Sequence, residues 1–183
     1  MAEDVKPVRR IVSANVAKDR AIAVHDGPSP DVRTDPARPG FAATRIWVTD
    51  SMPAKVKGVT ETLHLPHSLE PPPNGSLCRF VTFPPDAVWQ RKVGAKEVQA
   101  YFQAMGSPGA STYSPQAPHP YMQKTRTLDF CVVVEGEITL VLDTEEAQLK
   151  AGDTVVLRGT NHAWSNGSNS PCTIAFASYD GHW

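Results

Sequence analysis

The feature that most constrains the fold is a run of short strand-like segments between about residues 128 and 178. These segments are rich in β-branched and aromatic side chains, and turn signals separate them at 135–137, 143–146, 151–153 and 166–171. Short strands with regularly spaced turns are typical of a β-sandwich or a small barrel. The sequence therefore predicts an all-β fold.

The rest of the chain predicts an extension of this barrel and one short helix. Val98, Tyr101, Phe102 and Met105 recur at helical spacing and Gly106 follows, so we predict a helix over residues 95–106. We predict one domain over 1–183, with N-terminal strands and loops in 1–94 and a conserved barrel in 119–180. The predicted strands are 8–13, 21–24, 44–49, 77–83, 121–125, 128–134, 138–142, 148–150, 154–157, 163–166 and 173–178, and the main loops are 26–40 and 51–75.

Composition excludes several classes of function. The net charge is −1, with no basic stripe, so we expect no nucleic-acid partner. The apolar runs are too short to cross a bilayer and the N-terminus has no apolar leader segment, so we expect neither a membrane partner nor secretion. The three cysteines cannot all pair with one another, and we expect free thiols and a cytoplasmic location.

A spaced motif of glycine and polar residues lies near the end of the predicted barrel. Gly152 and Asp153 open a strand, Gly159 precedes His162 by three residues, and Asn166 follows four residues later. Glycine at such positions favours turns that need a positive φ. Earlier in the chain, Asp129 lies seven residues before Gly136, and counting back along the same frame reaches Gln123 and Thr125.

This layout resembles the two motifs of the cupin superfamily. Much of the chain also resembles a group of small cupins from bacteria and fungi, on the basis of Arg9–Val12, Asp26–Pro28, Trp47–Asp50, Tyr101–Gly106, His119, Pro120, Met122, Thr125, Thr127, Asp129 and Phe130. The resemblance implies a double-stranded β-helix, or jelly-roll, barrel with an N-terminal strand extension. It also implies a homodimer, since small cupins commonly pair through their outer strands.

The resemblance implies a metal site that this chain does not reproduce. Cupins place two histidines and a glutamate in the first motif, where this chain has Gln123, Thr125 and Asp129. We therefore expect no cofactor. If a divalent metal is bound, the resemblance implies Fe, Mn, Ni or Zn held by His162, Gln123 and His119.

Alternation along a strand places residues 123, 125, 127 and 129 on one side, which we expect to face the cavity with His162. As the motif histidine that titrates near neutral pH, His162 is the predicted general acid–base, with Asp129 as its assistant. Gln123, Thr125 and His119 are the predicted substrate-binding residues. A structural role stays open for three of these residues: a hydrogen-bonded cavity histidine for His162, a carboxylate accepting bonds from neighbouring threonines for Asp129, and a hydrogen-bonded wall residue for Gln123.

Three further side chains are expected to lie outside the site. Trp164 and Phe130 are predicted to pack on the outer surface, and Arg79 is expected to form a surface salt bridge rather than to bind an anion.

Three functions remain open at this point. The favoured interpretation is an enzyme of the lyase or isomerase type, acting by acid–base chemistry on a small carbonyl, carboxylic or phenolic compound. The reaction would be a decarboxylation, dehydration or isomerisation in secondary or aromatic metabolism. The alternatives are a metal-dependent oxygenase or lyase, and a non-catalytic ligand-binding cupin with a decayed metal site.

Overall fold

A computed structural model describes residues 6–18, 20–57 and 60–183. The first five residues, on which the prediction about a leader segment partly rests, lie outside the described residues. Within those ranges the chain forms eleven strands and one α-helix. They are β1 (Arg9–Ala17), β2 (Arg20–Pro28), β3 (Val32–Thr34), β4 (Ala42–Thr49), β5 (Ser76–Phe83), α1 (Ala95–Ala104), β6 (Thr127–Glu135), β7 (Glu137–Val141), β8 (Glu146–Lys150), β9 (Thr154–Arg158), β10 (Ala163–Ser165) and β11 (Cys172–Asp180).

Two antiparallel sheets enclose the core. One has six strands in the order β3-β4-β5-β11-β6-β9, and the other has three in the order β10-β7-β8. Side chains alternate between buried and exposed along β5, β6 and β11. Buried residues from both sheets, such as Val133 and Ile174 from the first and Ile138 and Leu140 from the second, belong to one apolar cluster. This arrangement confirms the predicted all-β jelly-roll barrel.

A tight turn between β6 and β7 explains the glycine in the first motif. Gly136 has a φ of +82°, and a Cβ atom there would lie 2.8 Å from the carbonyl oxygen of Pro171. Both the positive φ and the close approach favour glycine over any other residue. The turn leads the chain from β6 in the six-stranded sheet to β7 in the three-stranded sheet.

The N-terminal extension is a separate hairpin. β1 and β2 pair only with each other within the described residues, and Arg9 and Asp26 form an exposed ion pair across them at 2.7 Å. The hairpin is longer than predicted, since β2 extends to Pro28, inside the expected loop 26–40. The same expected loop also contains β3, which pairs with β4. The buried Arg10 joins the hairpin to the following loop through Glu61, at 2.6 Å.

The α-helix covers one side of the barrel interior. Its buried face carries Val98 and Phe102, and Met105 follows directly after its last turn. The Glu97 side chain accepts a hydrogen bond from the Gly94 amide at 3.0 Å, which caps the N-terminus. Tyr101 packs edge-on against Phe41 at 5.5 Å between ring centroids, so the helix is held to the loop that precedes β4.

The predicted strand over residues 121–125 is wrong. Only Gln123 pairs there, through isolated bridges to Ser111 and His162. Pro118 and Pro120 lack the N–H groups that a ladder requires, and the chain turns through this stretch. Residue alternation can therefore be counted only from Thr127 onward, where β6 begins.

The outer face of β6 and β9 is apolar. Phe130 is 45 % exposed and Val156 is 57 % exposed, and Leu128, Val132 and Val134 share this face. The outward position expected for Phe130 agrees with this. The predicted homodimer stays a prediction, and this face is where it would bury apolar area. In the described part of the chain, no helix is long and apolar enough to cross a membrane.

Candidate functional site

A small cavity lies inside the barrel between the two sheets and α1. Its volume, counted as the space that the centre of a water molecule can reach, is about 30 Å³. That is room for about two waters or for one small polar group of a ligand. Its polar lining comes from Arg38, Arg79, Tyr101, Tyr121 and Gln123, and its apolar walls include Phe83, Trp164 and Phe176.

Gln123 and His162 form the pair that connects this cavity to the histidine of the second motif. Their backbones form a two-residue antiparallel bridge, with N–H···O distances of 2.8 and 2.9 Å. Their side chains meet at 3.2 Å, from Nε2 of Gln123 to Nε2 of His162. Gln123 lines the cavity, whereas His162 is not among its lining residues.

The neighbours of His162 define its protonation state. Nδ1 donates to the carbonyl oxygen of Thr160 at 2.9 Å, so the Nε2 lone pair accepts from the Gln123 amide. Burial lowers the pKa of His162 below its usual value, against opposing contributions from the Thr160 carbonyl and the Asp129 carboxylate. His162 is therefore a neutral imidazole with its basic nitrogen on the side of the cavity.

Asp129 lies on β6 and faces the interior, with 4 % of its surface exposed. Its carboxylate accepts hydrogen bonds from the hydroxyl of Thr127, at 2.6 Å, and from the hydroxyl of Ser178. Thr125 is buried and its hydroxyl meets that of Thr127 at 2.8 Å. The structure therefore places Thr125 and Asp129 in one chain of hydrogen-bonded hydroxyl and carboxylate groups. This agrees with the structural alternative for Asp129, and neither residue lines the cavity.

His119 has different neighbours from those that the sequence predicted. Its Nδ1 accepts from the backbone amide of Tyr121 at 3.1 Å, and its ring packs edge-on against Trp89. Its Nε2 lies 4.0 Å from Asp86, and it bonds neither Gln123 nor His162. Burial lowers the pKa of His119 to about 4, assisted by the charge of Arg38. The structure thus gives His119 a packing role rather than a place in the cavity wall.

Trp164 faces inward, and its predicted outer position is wrong. It is 5 % exposed, lines the cavity, and packs against the rings of Phe83, His162 and Phe176. The physical reason is spacing: Trp164 lies two residues after His162, so both side chains are on the same side of this segment. Trp164 therefore supplies part of the apolar wall of the site.

The expectation of a surface salt bridge for Arg79 is also wrong. Arg79 is 7 % exposed and lines the cavity, and it has no carboxylate partner within ion-pair distance among the described residues. The signal was available in the sequence, because Arg79 shares its alternation with Leu77, Val81 and Phe83, all of which are buried.

Arg38 is a second cavity arginine, and no pattern in its loop indicated it. It is 3 % exposed, and its guanidinium lies 3.6 Å from the ring centroid of Tyr121 and 3.9 Å from that of Phe41. Asp35 accepts from Arg38 at 2.7 Å and from the Tyr121 hydroxyl at 2.9 Å. Arg38 and Arg79 thus line the same cavity, and Asp35 compensates the charge of Arg38.

The remaining motif residues are structural. Asn166 is fully buried and donates to the carbonyl oxygens of Phe83 and Ser170, both at 2.9 Å. Gly159 has a φ of +63°, and a Cβ there would lie 2.7 Å from the ring of Trp183. These residues position the segment that carries His162.

The side chains do not fit the metal site that cupins commonly have. Among the residues that the structure describes, no group of three or more histidine, cysteine, aspartate or glutamate side chains is placed to hold a metal ion. The His162 lone pair is taken up by Gln123, and both Asp129 oxygens are taken up by hydroxyls. The loop histidines do not add donors, since His67 lies against Asp31 and His64 lines a groove beside β1.

Comparison with known proteins agrees with this fold. The family model for the cupin domain, Cupin_2, matches residues 108–178. Phomopsin biosynthesis cluster protein C' of Diaporthe leptostromiformis is 30% identical over 159 residues, covering 78% of this chain and 76% of the relative. The cupin-domain-containing oxidoreductase virC of Hypocrea virens is 27% identical over 128 residues, covering 68% of this chain and 50% of the relative.

Among solved structures, ethanolamine utilization protein Q of Salmonella typhimurium LT2 superposes with a TM-score of 0.47 at 10% identity, covering 97% of this chain and 99% of that one. The family match and the fungal relatives identify the class of this protein. The chain belongs to the cupin family.

Proposed function

We propose that this cupin is a small-molecule enzyme of secondary metabolism. Its reaction is a proton transfer of the lyase or isomerase type on a small carbonyl, carboxylic or phenolic compound. The names of two relatives, both called phomopsin biosynthesis cluster proteins, support the metabolic setting. The free cysteines support the expectation of a cytoplasmic location.

The observation that carries the proposal is the neutral His162 with its basic nitrogen directed to Gln123. The bond from Nδ1 to Thr160 fixes the tautomer, so Nε2 is ready to accept a proton. A substrate that displaces the Gln123 amide brings its acidic O–H or C–H to Nε2. The displaced amide is then free to donate to a substrate oxygen.

His162 then returns the proton to a different atom of the substrate, which completes an isomerisation, or to a leaving group, which completes an elimination. Burial keeps the imidazole neutral between turnovers, because it lowers the pKa of His162. Asp129 acts at a distance in this scheme, since its charge favours the transient imidazolium.

The test measures deuterium uptake from D₂O into a panel of small carbonyl, carboxylic and phenolic compounds, followed by NMR. Wild-type protein is compared with His162→Gln and with the matched control His182→Gln, which alters an exposed histidine. We expect His162→Gln to slow exchange by about 100-fold or more and the control to leave it unchanged. Exchange that is equal in wild type and His162→Gln removes His162 from the mechanism and favours the non-catalytic interpretation.

The second candidate is a metal-dependent oxygenase or lyase, favoured by the word oxidoreductase in the name of the relative from Hypocrea virens. It is tested by elemental analysis of protein purified without added metal. Stoichiometric iron, manganese, nickel or zinc that is lost in His162→Gln would replace the acid–base proposal with this one.

A further inference from the structure

Arg79 is a buried cation, and its Nε–H donor has no hydrogen-bond acceptor. Its Nη1 donates to the carbonyl oxygen of Leu69 at 3.2 Å, and its fully buried Nε has no acceptor. Asp129 faces the same interior from β6, but it is bonded by Thr127 and Ser178 and is not within ion-pair distance of Arg79. A buried guanidinium with an unpaired N–H is costly, so an acceptor from outside the chain is expected here.

Arg38 contributes a second unmade bond to the same cavity. Its Nε donates to Asp35, while its buried Nη2 has no acceptor. The aromatic rings of Phe41 and Tyr121 hold the guanidinium in place, so it cannot swing out to water. Two arginines, each at least nine-tenths buried and each with a buried nitrogen that has no hydrogen-bond acceptor, therefore line one small cavity.

We infer that the cavity binds the carboxylate group of the substrate, with Arg79 and Arg38 as its donors. This inference rests on the proposed function and narrows its substrate class to carboxylic acids. Two guanidinium N–H groups match the two oxygens of a carboxylate, and ionised pairs make the stronger hydrogen bonds. The carbon atom that bears the carboxylate contacts the apolar walls that Phe83, Trp164 and Phe176 provide.

The size of the cavity favours a carboxylate over a larger anion. A volume of about 30 Å³ suits a group of about two water molecules in size, whereas a phosphate is larger and needs acceptor sites for three or more oxygens. A neutral phenol or ketone could accept hydrogen bonds but would bring no negative charge to offset the buried guanidinium of Arg79. Gln123, which lines the same cavity, remains available for a substrate oxygen next to the bound carboxylate.

Two equilibrium measurements test the inference. Formate, acetate and propionate are titrated into wild-type protein by NMR, and each is compared with its amide, which has the same shape without the charge. We expect each acid to bind about 10-fold or more tightly than its amide. Equal affinities for acids and amides would overturn the inference without any variant.

The second measurement assigns the site to Arg79. We expect Arg79→Gln to weaken binding of the acids by about 10- to 100-fold and to leave the amides unchanged. The matched control is Arg158→Gln, because Arg158 is exposed on β9. Arg79→Lys, which keeps the charge but loses the planar fork, is the second variant in case Arg79→Gln does not fold. Affinity for the acids that is unchanged in these variants contradicts the assignment.

The binding measurement and the exchange measurement distinguish failure of the carboxylate inference from failure of the proposed reaction. His162→Gln removes the proposed base but neither arginine, so it is expected to bind the acids while losing exchange. Binding of acids that depends on Arg79, without any exchange, retains this inference and rejects the proposed reaction. Exchange that depends on His162, with no preference for acids, retains the reaction and rejects the carboxylate.

Discussion

The amide nitrogen of Gln123 lies 3.2 Å from Nε2 of His162, so the residue at the first histidine position of the first motif contacts the histidine of the second motif. The imidazole keeps its proton on Nδ1 because Thr160 accepts it. The amide is a donor that a substrate can displace, whereas a metal ion would hold the same lone pair permanently. In the proposed mechanism, Nε2 of His162 is therefore a proton acceptor that the Gln123 amide covers until a substrate arrives.

Replacing the amide by a carboxylate should change the titration of His162. In Gln123→Glu a negative charge stands where the amide now donates, so we expect the pKa of His162 to rise. The measurement is an NMR titration of the imidazole carbon and nitrogen shifts. Gln148→Glu is the control, because it adds the same charge on the exposed β8. A pKa that does not move in Gln123→Glu would show that the two side chains are not in contact in solution.

The hydroxyl–carboxylate chain predicts a loss of stability in Asp129→Asn. The amide retains one acceptor oxygen, but its NH₂ group faces a hydroxyl that now donates to the carboxylate. We expect a loss of about 1–3 kcal/mol in the free energy of unfolding, measured with urea. The pKa of His162 should also fall further, since the charge of Asp129 opposes the effect of burial. Full stability in this variant would mean that the chain of bonds reorganises around the amide.

Much of the barrel could be predicted because its strands obey a simple period. Along β5, β6 and β11 every second side chain is buried, and this alternation is visible in the sequence. The same alternation predicts that the Arg79 side chain faces inward, since Arg79 alternates in phase with buried apolar residues. It was misjudged because arginine is seldom buried, and that general tendency outweighed the local pattern.

The other residues of the site could not be predicted from strand periodicity because they lie in loops. Arg38 and Tyr121 lie in irregular segments that carry no period, and they meet only because Asp35 binds both. His119 lies away from the cavity because the chain turns around Pro118 and Pro120, so no strand carries His119 alongside Gln123. Periodicity predicts which way a strand residue faces, whereas loop contacts depend on the tertiary fold.

Stability should fall in acid because His119 is buried in its neutral form. Its pKa is about 4 in the folded protein against about 6.5 when unfolded, so the unfolded state binds the additional proton between these values. The free energy of unfolding should therefore decrease as pH falls from 6.5 to 4, with no contribution from His119 above pH 7. We expect roughly 3 kcal/mol over this interval to be absent in His119→Gln. Urea unfolding of both proteins at several pH values provides the check, and parallel curves would contradict the low pKa.

Restoring a histidine should restore metal binding. Gln123→His places a second imidazole beside His162, and two imidazoles suit zinc, nickel and iron. We expect affinity for Zn²⁺ to increase at least 10-fold over wild type, measured by isothermal titration calorimetry. The double variant Gln123→His, His162→Gln is the control and should lose this gain. If the single variant binds no more tightly than wild type, the two positions are too far apart or too rigid to share an ion.

The turn at Gly136 predicts a contrast between two glycines. Gly136 has a φ of +82° and a Cβ there would come within 2.8 Å of a backbone oxygen, whereas Gly167 has no heavy atom within 4 Å of the added carbon. We expect Gly136→Ala to lower the free energy of unfolding by about 1–3 kcal/mol, and Gly167→Ala to change it by less than about 1 kcal/mol. Urea unfolding measures both. Because Gly136 directly follows β6, a displacement of this strand by the alanine should also alter the NMR signal of His162, which senses the charge of Asp129 on β6. An unchanged His162 signal in a destabilised Gly136→Ala protein would show that the turn at residue 136 does not influence the environment of His162.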